Sequence, residues 1–249
     1  MKSTSNKSAI DRLIFALDAK NYEEALSWIE LLSGHVGMFK IGKELFTAVG
    51  PKIIHVIKEK SQKVFLDLKF HDIPNTVARA AEAAVGLNVD MFNIHASGGA
   101  QMMKETVSAA RNAADKTGRA NPILLAVTVL TSLNNNDLQQ IGFQKSTDEL
   151  VLHLAKLAKA VGVSGVVASA QDIVQLRKNL GNDFVIVTPG IRSSAEEKKD
   201  DQKRTLSAYE AIKAGADYIV VGRPIRNAKE PLAACRQIIQ DIEAGLAST

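Results

Sequence analysis

Residues 63–76, KVFLDLKFHDIPNT, carry the side chains of this sequence best suited to chemistry. Within an apolar run, a single residue, Leu68, separates Asp67 from Lys69, and Asp72 follows shortly after. Because alternate side chains of a β-strand share a face, Asp67 and Lys69 are predicted to point the same way, roughly 6–7 Å apart. Burying an ion pair among Val, Leu and Phe is costly unless its partners are fixed, which favours a functional role. A purely structural Asp–Lys bridge that closes a layer of the core is the alternative.

Further polar residues end other short apolar runs. Lys40 shares parity with Met38 and Gly42, so its side chain is predicted to point inwards with theirs, whereas Phe39 and Ile41 face outwards. A lysine that extends its ammonium group from a strand end to solvent is the alternative for Lys40. The other polar residues at such ends are Asp18, His95, Ser97, Thr128, Thr131, Thr188 and Arg192.

The elements that must position these residues alternate regularly along the chain. Strands are predicted at 12–18, 38–42, 63–69, 91–97, 122–130, 165–169, 184–188 and 218–222. Helical periodicity follows each strand, at 22–32, 43–60 with a break at Gly50-Pro51, 76–87, 100–116, 148–161, 170–180, 208–214 and 231–244. Eight βα units without a linker predict an α/β fold, a closed (β/α)8 TIM barrel, whose chemistry lies where strands end.

The last two strands end in motifs suited to an anion. Strand seven continues as TPGIR at 188–192, followed by a charged stretch, and strand eight continues as VGRP at 221–224. Barrel phosphate sites form from these two loops, where a glycine admits backbone N–H groups and an arginine adds charge-assisted hydrogen bonds. We therefore predict a phosphate site at Gly222 and Arg223, with the charged stretch as a closing lid; a solvated loop and a simple Gly-Arg-Pro turn are the alternatives.

Composition limits the remaining possibilities. A chain of 249 residues with 46% hydrophobic residues has the size of one barrel domain, here expected over residues 10–249 after a disordered tail at 1–9. The single cysteine, Cys235, excludes an internal disulfide, and no segment resembles a membrane span or a secretory signal, so a cytoplasmic protein is expected. The net charge of +4 fits an anionic small molecule, and the interleaved charges do not favour a nucleic-acid partner.

Taken together, the motifs resemble those of the bacterial orotidine 5′-phosphate decarboxylases. The resemblance covers the chain from about residue 12 to its end, and no functional position departs from the family pattern. It rests on FALD at 15–18, FKIG at 39–42, DLKFHDIPNT at 67–76, TVLTS at 128–132, TPGIR at 188–192, DDQ at 200–202 and VGRP at 221–224.

The resemblance implies decarboxylation of orotidine 5′-monophosphate to UMP in de novo pyrimidine synthesis, without a metal or organic cofactor. It implies that Lys69 protonates C6 of the pyrimidine and that Lys40, Asp67 and Asp72 complete the charged network. Asp18 and Lys40 are expected at the ribose hydroxyls, Asp67 beside the substrate, and Thr131 at the pyrimidine edge. The phosphate ligands implied are Arg192, Gln202, Gly222 and Arg223. A homodimer is implied in which each subunit supplies the partner's site with Asp72, Ile73 and Thr76.

Two other functions remain compatible with parts of the sequence. The Mg²⁺-dependent 3-keto-L-gulonate 6-phosphate decarboxylases share the Asp-x-Lys-x-x-Asp motif of strand three, although the HDIPNT continuation and Thr131 favour the pyrimidine enzyme. A non-catalytic barrel that binds a nucleotide phosphate is the second alternative, against which the intact charged residues argue. The five histidines do not have metal-ligand spacing, and His71 and His95 are expected to be packed or bonded to backbone.

Overall fold

Eight parallel strands close a barrel in chain order, and the last strand pairs with the first. The computed structural model describes residues 7–191 and 206–248, and these strands lie within those ranges. They are β1 (Leu13–Ala16), β2 (Met38–Gly42), β3 (Val64–Phe70), β4 (Met91–His95), β5 (Ile123–Val127), β6 (Gly165–Val167), β7 (Val185–Thr188) and β8 (Tyr218–Val221). The predicted (β/α)8 barrel is confirmed.

Helices follow the strands and cover the outside of the barrel. In the described part of the chain they are α1 (Tyr22–Leu32), α2 (Lys43–Val49), α3 (Lys52–Glu59), α4 (Pro74–Gly86), α5 (Gly99–Thr117), α6 (Asn135–Gln140), α7 (Thr147–Ala160), α8 (Ile173–Leu180), α9 (Ala208–Lys213), α10 (Arg223–Arg226) and α11 (Pro231–Ala247). The sequence analysis did not predict α6 or α10, which have six and four residues. None of the described helices is long and apolar enough to span a membrane.

Side-chain parity divides the core into two layers. Met38 and Phe65 belong to the smaller cluster, which fills the barrel interior, whereas Phe39 and Ile41 belong to the larger cluster between strands and helices. The predicted orientation of strand two is therefore confirmed, and Lys40 lies on the inner face with Met38. The interior cluster consists of Ile14, Ala16, Met38, Phe65, Met91, Leu125, Val185, Val187, Tyr218 and Val220.

Strand β3 departs from regular geometry at its C-terminal end. Its pairing with β4 shifts register between Leu66 and Phe70, and Lys69 has a φ of +55°, in the left-handed region. Regular alternation ends at Lys69, but its side chain still meets the Asp67 carboxylate, so the two side chains point the same way as predicted. At this bulge the Lys69 backbone N–H donates to the side chain of Asn93 on β4.

The described chain begins at the N-terminal end of the barrel. Nζ of Lys7 donates a hydrogen bond to the hydroxyl group of Tyr218 and lies 4.1 Å from the centre of its ring. Ala9 is buried, and Ile10–Arg12 forms a 3-10 turn that leads into β1. Of the tail expected at residues 1–9, residues 1–6 lie outside the described residues, and residues 7–9 lie against the barrel.

Candidate active site

A cavity of about 260 Å³ opens at the C-terminal ends of the strands. Its walls come from strand ends or following loops of β1, β2, β3, β5, β6, β7 and β8, so residues far apart in sequence converge on one space. This is the end of the barrel at which the sequence predicts chemistry. Seven of the predicted site residues line the cavity: Asp18, Lys40, Asp67, Lys69, Thr131, Gly222 and Arg223.

Charged side chains form an alternating array along one wall of the cavity. Nζ of Lys69 lies 2.5 Å from Oδ1 of Asp67, and Nζ of Lys40 lies 3.1 Å from Oδ2 of the same carboxylate. Nζ of Lys40 also lies 3.7 Å from Oδ1 of Asp18. The Lys40 and Asp67 side chains are 12% and 13% exposed, so this contact is largely shielded from water. One carboxylate thus separates two ammonium groups at the entrance to the barrel interior.

The array keeps Asp67 ionised. Burial alone would raise the pKa of Asp67, but the nearby charges of Lys40 and Lys69 and the hydrogen bonds from Lys69 and Asn93 outweigh it. The pKa of Asp67 therefore lies below its ordinary value. A carboxylate flanked by two cations gives this wall of the cavity a fixed pattern of charge before any ligand enters.

Asn93, which the sequence analysis did not select, completes the array. Its side chain is fully buried on the inner face of β4; Nδ2 donates to Oδ1 of Asp67 at 2.7 Å, and Oδ1 accepts the Lys69 backbone N–H at 2.8 Å. A polar residue among the apolar residues of MFNIH, with the inward parity of Met91, was the available signal. The sequence did not reveal its partners, because they belong to another strand.

Arg226 is a second residue that the sequence analysis missed. Its NH1 group donates to the backbone carbonyl of Asp18 at 2.5 Å and lies 3.9 Å from the Asp18 carboxylate. The contact joins α10, which follows β8, to the loop that follows β1. Arg226 therefore holds the backbone of Asp18 at the edge of the cavity, whereas Asp18 itself remains 42% exposed to a ligand.

The loops after β7 and β8 bring backbone close to the cavity. A Cβ at Gly222 would lie 3.2 Å from Cβ of Ala16, so only glycine lets this turn approach β1 without displacement. Gly190 lines the same region with a φ of +78°, which glycine adopts without strain. Arg223 follows Gly222 directly as the first residue of α10. The predicted arrangement of glycine backbone and arginine is therefore present at this edge of the cavity.

The segment between β7 and α9 is described only at its two ends. Ile191 and Leu206 pair as an isolated parallel bridge, which brings the ends of the segment together beside the cavity. Arg192 and Gln202, which were predicted to contact the phosphate, and the predicted lid lie outside the described residues.

Three predicted residues do not line this chain's own cavity. Asp72, Ile73 and Thr76 are exposed at the end of β3 and the start of α4, and the Ile73 side chain is 67% exposed. Oδ1 of Asp72 accepts the Ile73 backbone N–H at 2.6 Å, which fixes the turn before Pro74.

His71 and His95 lie beside the array without lining the cavity. Their ring centres are 5.5 Å apart. Burial, followed by the charges of His71, Lys69 and Lys43, lowers the pKa of His95 to about 4. His95 is therefore neutral near pH 7. Across residues 7–191 and 206–248, no three His, Cys, Asp or Glu side chains are grouped so that they could hold a metal ion.

Known proteins resemble this chain in sequence and in overall structure. The model of the orotidine 5′-phosphate decarboxylase / HUMPS family matches residues 11–238. The chain is 54% identical to the orotidine 5′-phosphate decarboxylase of Syntrophus aciditrophicus, over 99% of each sequence, and 49% identical to that of Citrifermentans bemidjiense, over 97% of this chain and 100% of the relative. The crystal structure of orotidine 5′-phosphate decarboxylase from Lactobacillus acidophilus superposes with a TM-score of 0.83 at 38% identity, covering 93% of this chain and 99% of that one. The chain belongs to the orotidine 5′-phosphate decarboxylase / HUMPS family.

Proposed function

We propose that this protein decarboxylates orotidine 5′-monophosphate to UMP and CO₂, the last step of de novo pyrimidine synthesis. The observation that carries the proposal is the Lys40–Asp67–Lys69 array, which faces a cavity that Gly222 and Arg223 also line. Relatives at 46–54% identity that carry the name of this enzyme support the same assignment.

The chemistry requires stabilisation by fixed charge. Loss of CO₂ from C6 leaves an electron pair in the plane of the pyrimidine ring, where the ring π-system cannot delocalise it. A group held in place before the reaction offsets this charge without reorganising, and a water-poor cavity strengthens the effect. In our proposal, Lys69 supplies the positive charge and then protonates C6 as a general acid.

Asp67 has two roles in this proposal. It holds Lys69 through the 2.5 Å contact and Lys40 through the 3.1 Å contact, so both ammonium groups are oriented in the free enzyme. It also lies where the substrate carboxylate would approach, and the repulsion between two carboxylates is relieved as CO₂ leaves. Asp72 of the partner subunit completes the network.

The remaining contacts position the nucleotide. Asp18 and Lys40 bind the ribose hydroxyls. Nζ of Lys40 and Oδ1 of Asp18 are 3.7 Å apart, so the carboxylate can accept a hydrogen bond from one hydroxyl group while the ammonium group donates to the other. Thr131 lies in the loop after β5, on the cavity wall, where it contacts the pyrimidine edge. Gly222 and Arg223, joined by Arg192 and Gln202, hold the phosphate. Binding energy from the phosphate, which is remote from C6, is then expressed in the transition state.

The proposal includes a homodimer with shared sites. Asp72, Ile73 and Thr76 are exposed in a single chain and lie outside its own cavity, as residues that serve a partner would. Mixing two inactive variants, Lys69→Ala and Asp72→Ala, tests this directly. If each site combines Lys69 of one chain with Asp72 of the other, every mixed dimer has one intact site, and activity returns on mixing. If mixing restores no activity although subunits exchange, the sites are not shared.

An absorbance assay tests the activity itself. Purified protein is expected to consume orotidine 5′-monophosphate at a rate that EDTA does not change, because the proposed mechanism places charge from lysine where other enzymes use a metal. The family also contains sugar-phosphate enzymes, so 3-keto-L-gulonate 6-phosphate with Mg²⁺ is the matched alternative substrate. Turnover of the sugar phosphate alone would replace our proposal, and turnover of neither would favour a non-catalytic binding barrel.

We place this activity in the cytoplasm. The nucleotide substrate is produced there, and the one cysteine, Cys235, is buried and unpaired, as in proteins of reducing compartments. Fractionation of cells that express the protein with a small tag tests the assignment: the protein should accompany a cytosolic marker.

A further inference from the structure

The bulge at the end of β3 places Lys69 in a conformation that it would not adopt alone. Leu66 pairs with Phe92, but the next paired residue of β3 is Phe70, which faces Ile94. β3 therefore advances four residues while β4 advances two. The left-handed backbone of Lys69 carries a free-energy cost, because its Cβ atom crowds the main chain in this conformation. Something in the surrounding structure must offset this cost.

The Asn93 side chain occupies the space where the regular ladder is interrupted. Its Oδ1 atom accepts the Lys69 N–H at 2.8 Å, which gives a partner to a backbone donor that has left the ladder. Its Nδ2 group donates to Oδ1 of Asp67 at 2.7 Å, the same oxygen that lies 2.5 Å from Nζ of Lys69. The side chain is 0% exposed, so water cannot replace either bond without opening the barrel.

A side-chain amide suits both contacts, whereas an ionised carboxylate or an apolar side chain does not. A backbone N–H must face an acceptor and an ionised carboxylate must face a donor, and a neutral amide offers one of each at a fixed angle. An aspartate at this position would set a second carboxylate against Asp67, and a leucine of similar size would leave the Lys69 N–H and one Asp67 oxygen without this partner. The choice of asparagine at position 93 is therefore explained by its hydrogen bonds to Asp67 and Lys69, and not by the apolar side chains around it.

We propose that Asn93 is a positioning residue for the reaction: it fixes the Asp67 carboxylate and the Lys69 backbone relative to each other before the substrate arrives. One neutral side chain thereby sets the place of both charged groups. The inference rests on the proposed function, because it assigns Lys69 the task of meeting charge at C6. Asn93 itself is not required to touch the substrate.

The main test uses Asn93→Leu. Displacing a catalytic group by about 1 Å costs on the order of 100-fold in rate, so kcat is expected to fall about 100-fold, while KM changes by less than about 3-fold because the phosphate and ribose contacts remain. Affinity for UMP should stay near that of the wild type. Affinity for a UMP analogue that carries a negative charge at C6 should fall in parallel with kcat, since only that ligand depends on the position of Lys69.

The pH dependence of Asn93→Asp distinguishes a positioning role from a purely structural one. Next to Asp67, one of the two carboxyl groups has a raised pKa, and its protonated form can donate as Nδ2 of asparagine does. The kcat of Asn93→Asp, divided by that of Asn93→Leu at the same pH, is therefore expected to rise as the pH falls from about 8 to about 5. A ratio that stays constant over this range would overturn the inference.

Controls separate the possible failures. Met91→Leu alters the same face of β4 two residues earlier and should retain wild-type kcat, and melting temperatures report the folded state of every variant. If Asn93→Leu does not fold, Asn93→Ala takes its place, both in the kinetic comparison and as the reference for the pH dependence of Asn93→Asp. Failure of the wild type to consume orotidine 5′-monophosphate would contradict the proposed function. Wild-type turnover together with a folded Asn93→Leu that keeps full kcat would contradict only the role of Asn93.

Discussion

The two ends of the barrel contain the same kinds of charged residue in different surroundings. At the N-terminal end, Arg177 and Asp217 form an ion pair whose side chains are 13% and 7% exposed. Apart from this ion pair, the two side chains form their hydrogen bonds mainly with backbone groups. Arg177 donates to the carbonyl groups of Gly181, Phe184 and Gly215, and Asp217 accepts the N–H of Ile186.

At the C-terminal end, the charges meet one another around a cavity. Within the described residues, the ammonium groups of Lys40 and Lys69 contact carboxylates and not backbone carbonyl groups. Asp67 is held by these two lysines and by Asn93. Arg177 and Asp217 are thus committed to the backbone of the fold, whereas the charges of Lys40, Asp67 and Lys69 face an open space and remain available to a ligand. Mutations at the two ends should therefore separate stability from activity.

The largest effect is expected from Lys69→Ala. This change removes both the proposed general acid and the charge that faces C6, so kcat/KM should fall by about 10⁴-fold or more. Asp67 keeps Lys40 and Asn93 as partners, and the melting temperature should change little. Steady-state kinetics and calorimetry measure the two quantities. Near-normal activity of the folded variant would refute the role of Lys69 as proton donor.

Asp217→Ala should produce the opposite result at the other end. Removing one partner of a buried ion pair typically costs about 3–5 kcal/mol, and here Arg177 and the Ile186 N–H both lose their carboxylate. The free energy of unfolding from urea titrations should fall accordingly, while kcat/KM per folded molecule stays at the wild-type value. Asp217→Asn, which keeps an acceptor for Ile186, should lose less. A large fall in kcat/KM without loss of stability would contradict the comparison.

Features of the fold and the site could be predicted from the sequence when they depend on neighbouring residues, and could not when they depend on residues far apart in the chain. The eight strands and the inward direction of Lys40 and Asp67 follow from a period of two residues, which is a local property. The Lys69 backbone, in its left-handed conformation, is hydrogen-bonded to Asn93, 24 residues away. The contact between Arg226 and Asp18 spans 208 residues. Neither long-range partner leaves a local pattern, so neither was predicted.

Some site residues remain predictions for a different reason. Arg192 and Gln202 lie outside the described residues, and the roles of Asp72, Ile73 and Thr76 depend on a second subunit. The cavity residues Thr131, Gly222 and Arg223 were selected because a barrel brings the ends of its strands to one face. This rule of barrel topology makes it possible to predict from local patterns that these distant residues share one cavity. No comparable rule predicts which individual side chains contact each other.

Arg223→Ala should have an intermediate effect confined to activity. Loss of a charge-assisted contact to the phosphate is expected to lower kcat/KM about 100-fold or more. With a truncated substrate that lacks the phosphate, added phosphite should activate the wild type, and this activation should be weaker in the variant. Arg79→Ala, in an exposed pair with Glu82 on α4, is the matched control and should change neither quantity. Wild-type turnover by Arg223→Ala would mean that the phosphate lies elsewhere.

The smallest effect should come from His95, which lies at the functional end of the barrel but does not line the cavity. Its pKa of about 4 in the folded protein is below its ordinary value of 6.5, chiefly because of burial. Between these values the unfolded chain binds a proton that the folded chain does not, so stability decreases as the pH falls from about 6.5 to about 4. His95→Asn should flatten this decrease in melting temperature and retain activity at pH 7, whereas His153→Asn, exposed on α7, should behave like the wild type. An unchanged pH dependence in His95→Asn would show that His95 does not titrate as its surroundings require, and a large loss of activity at pH 7 would move it into the catalytic array.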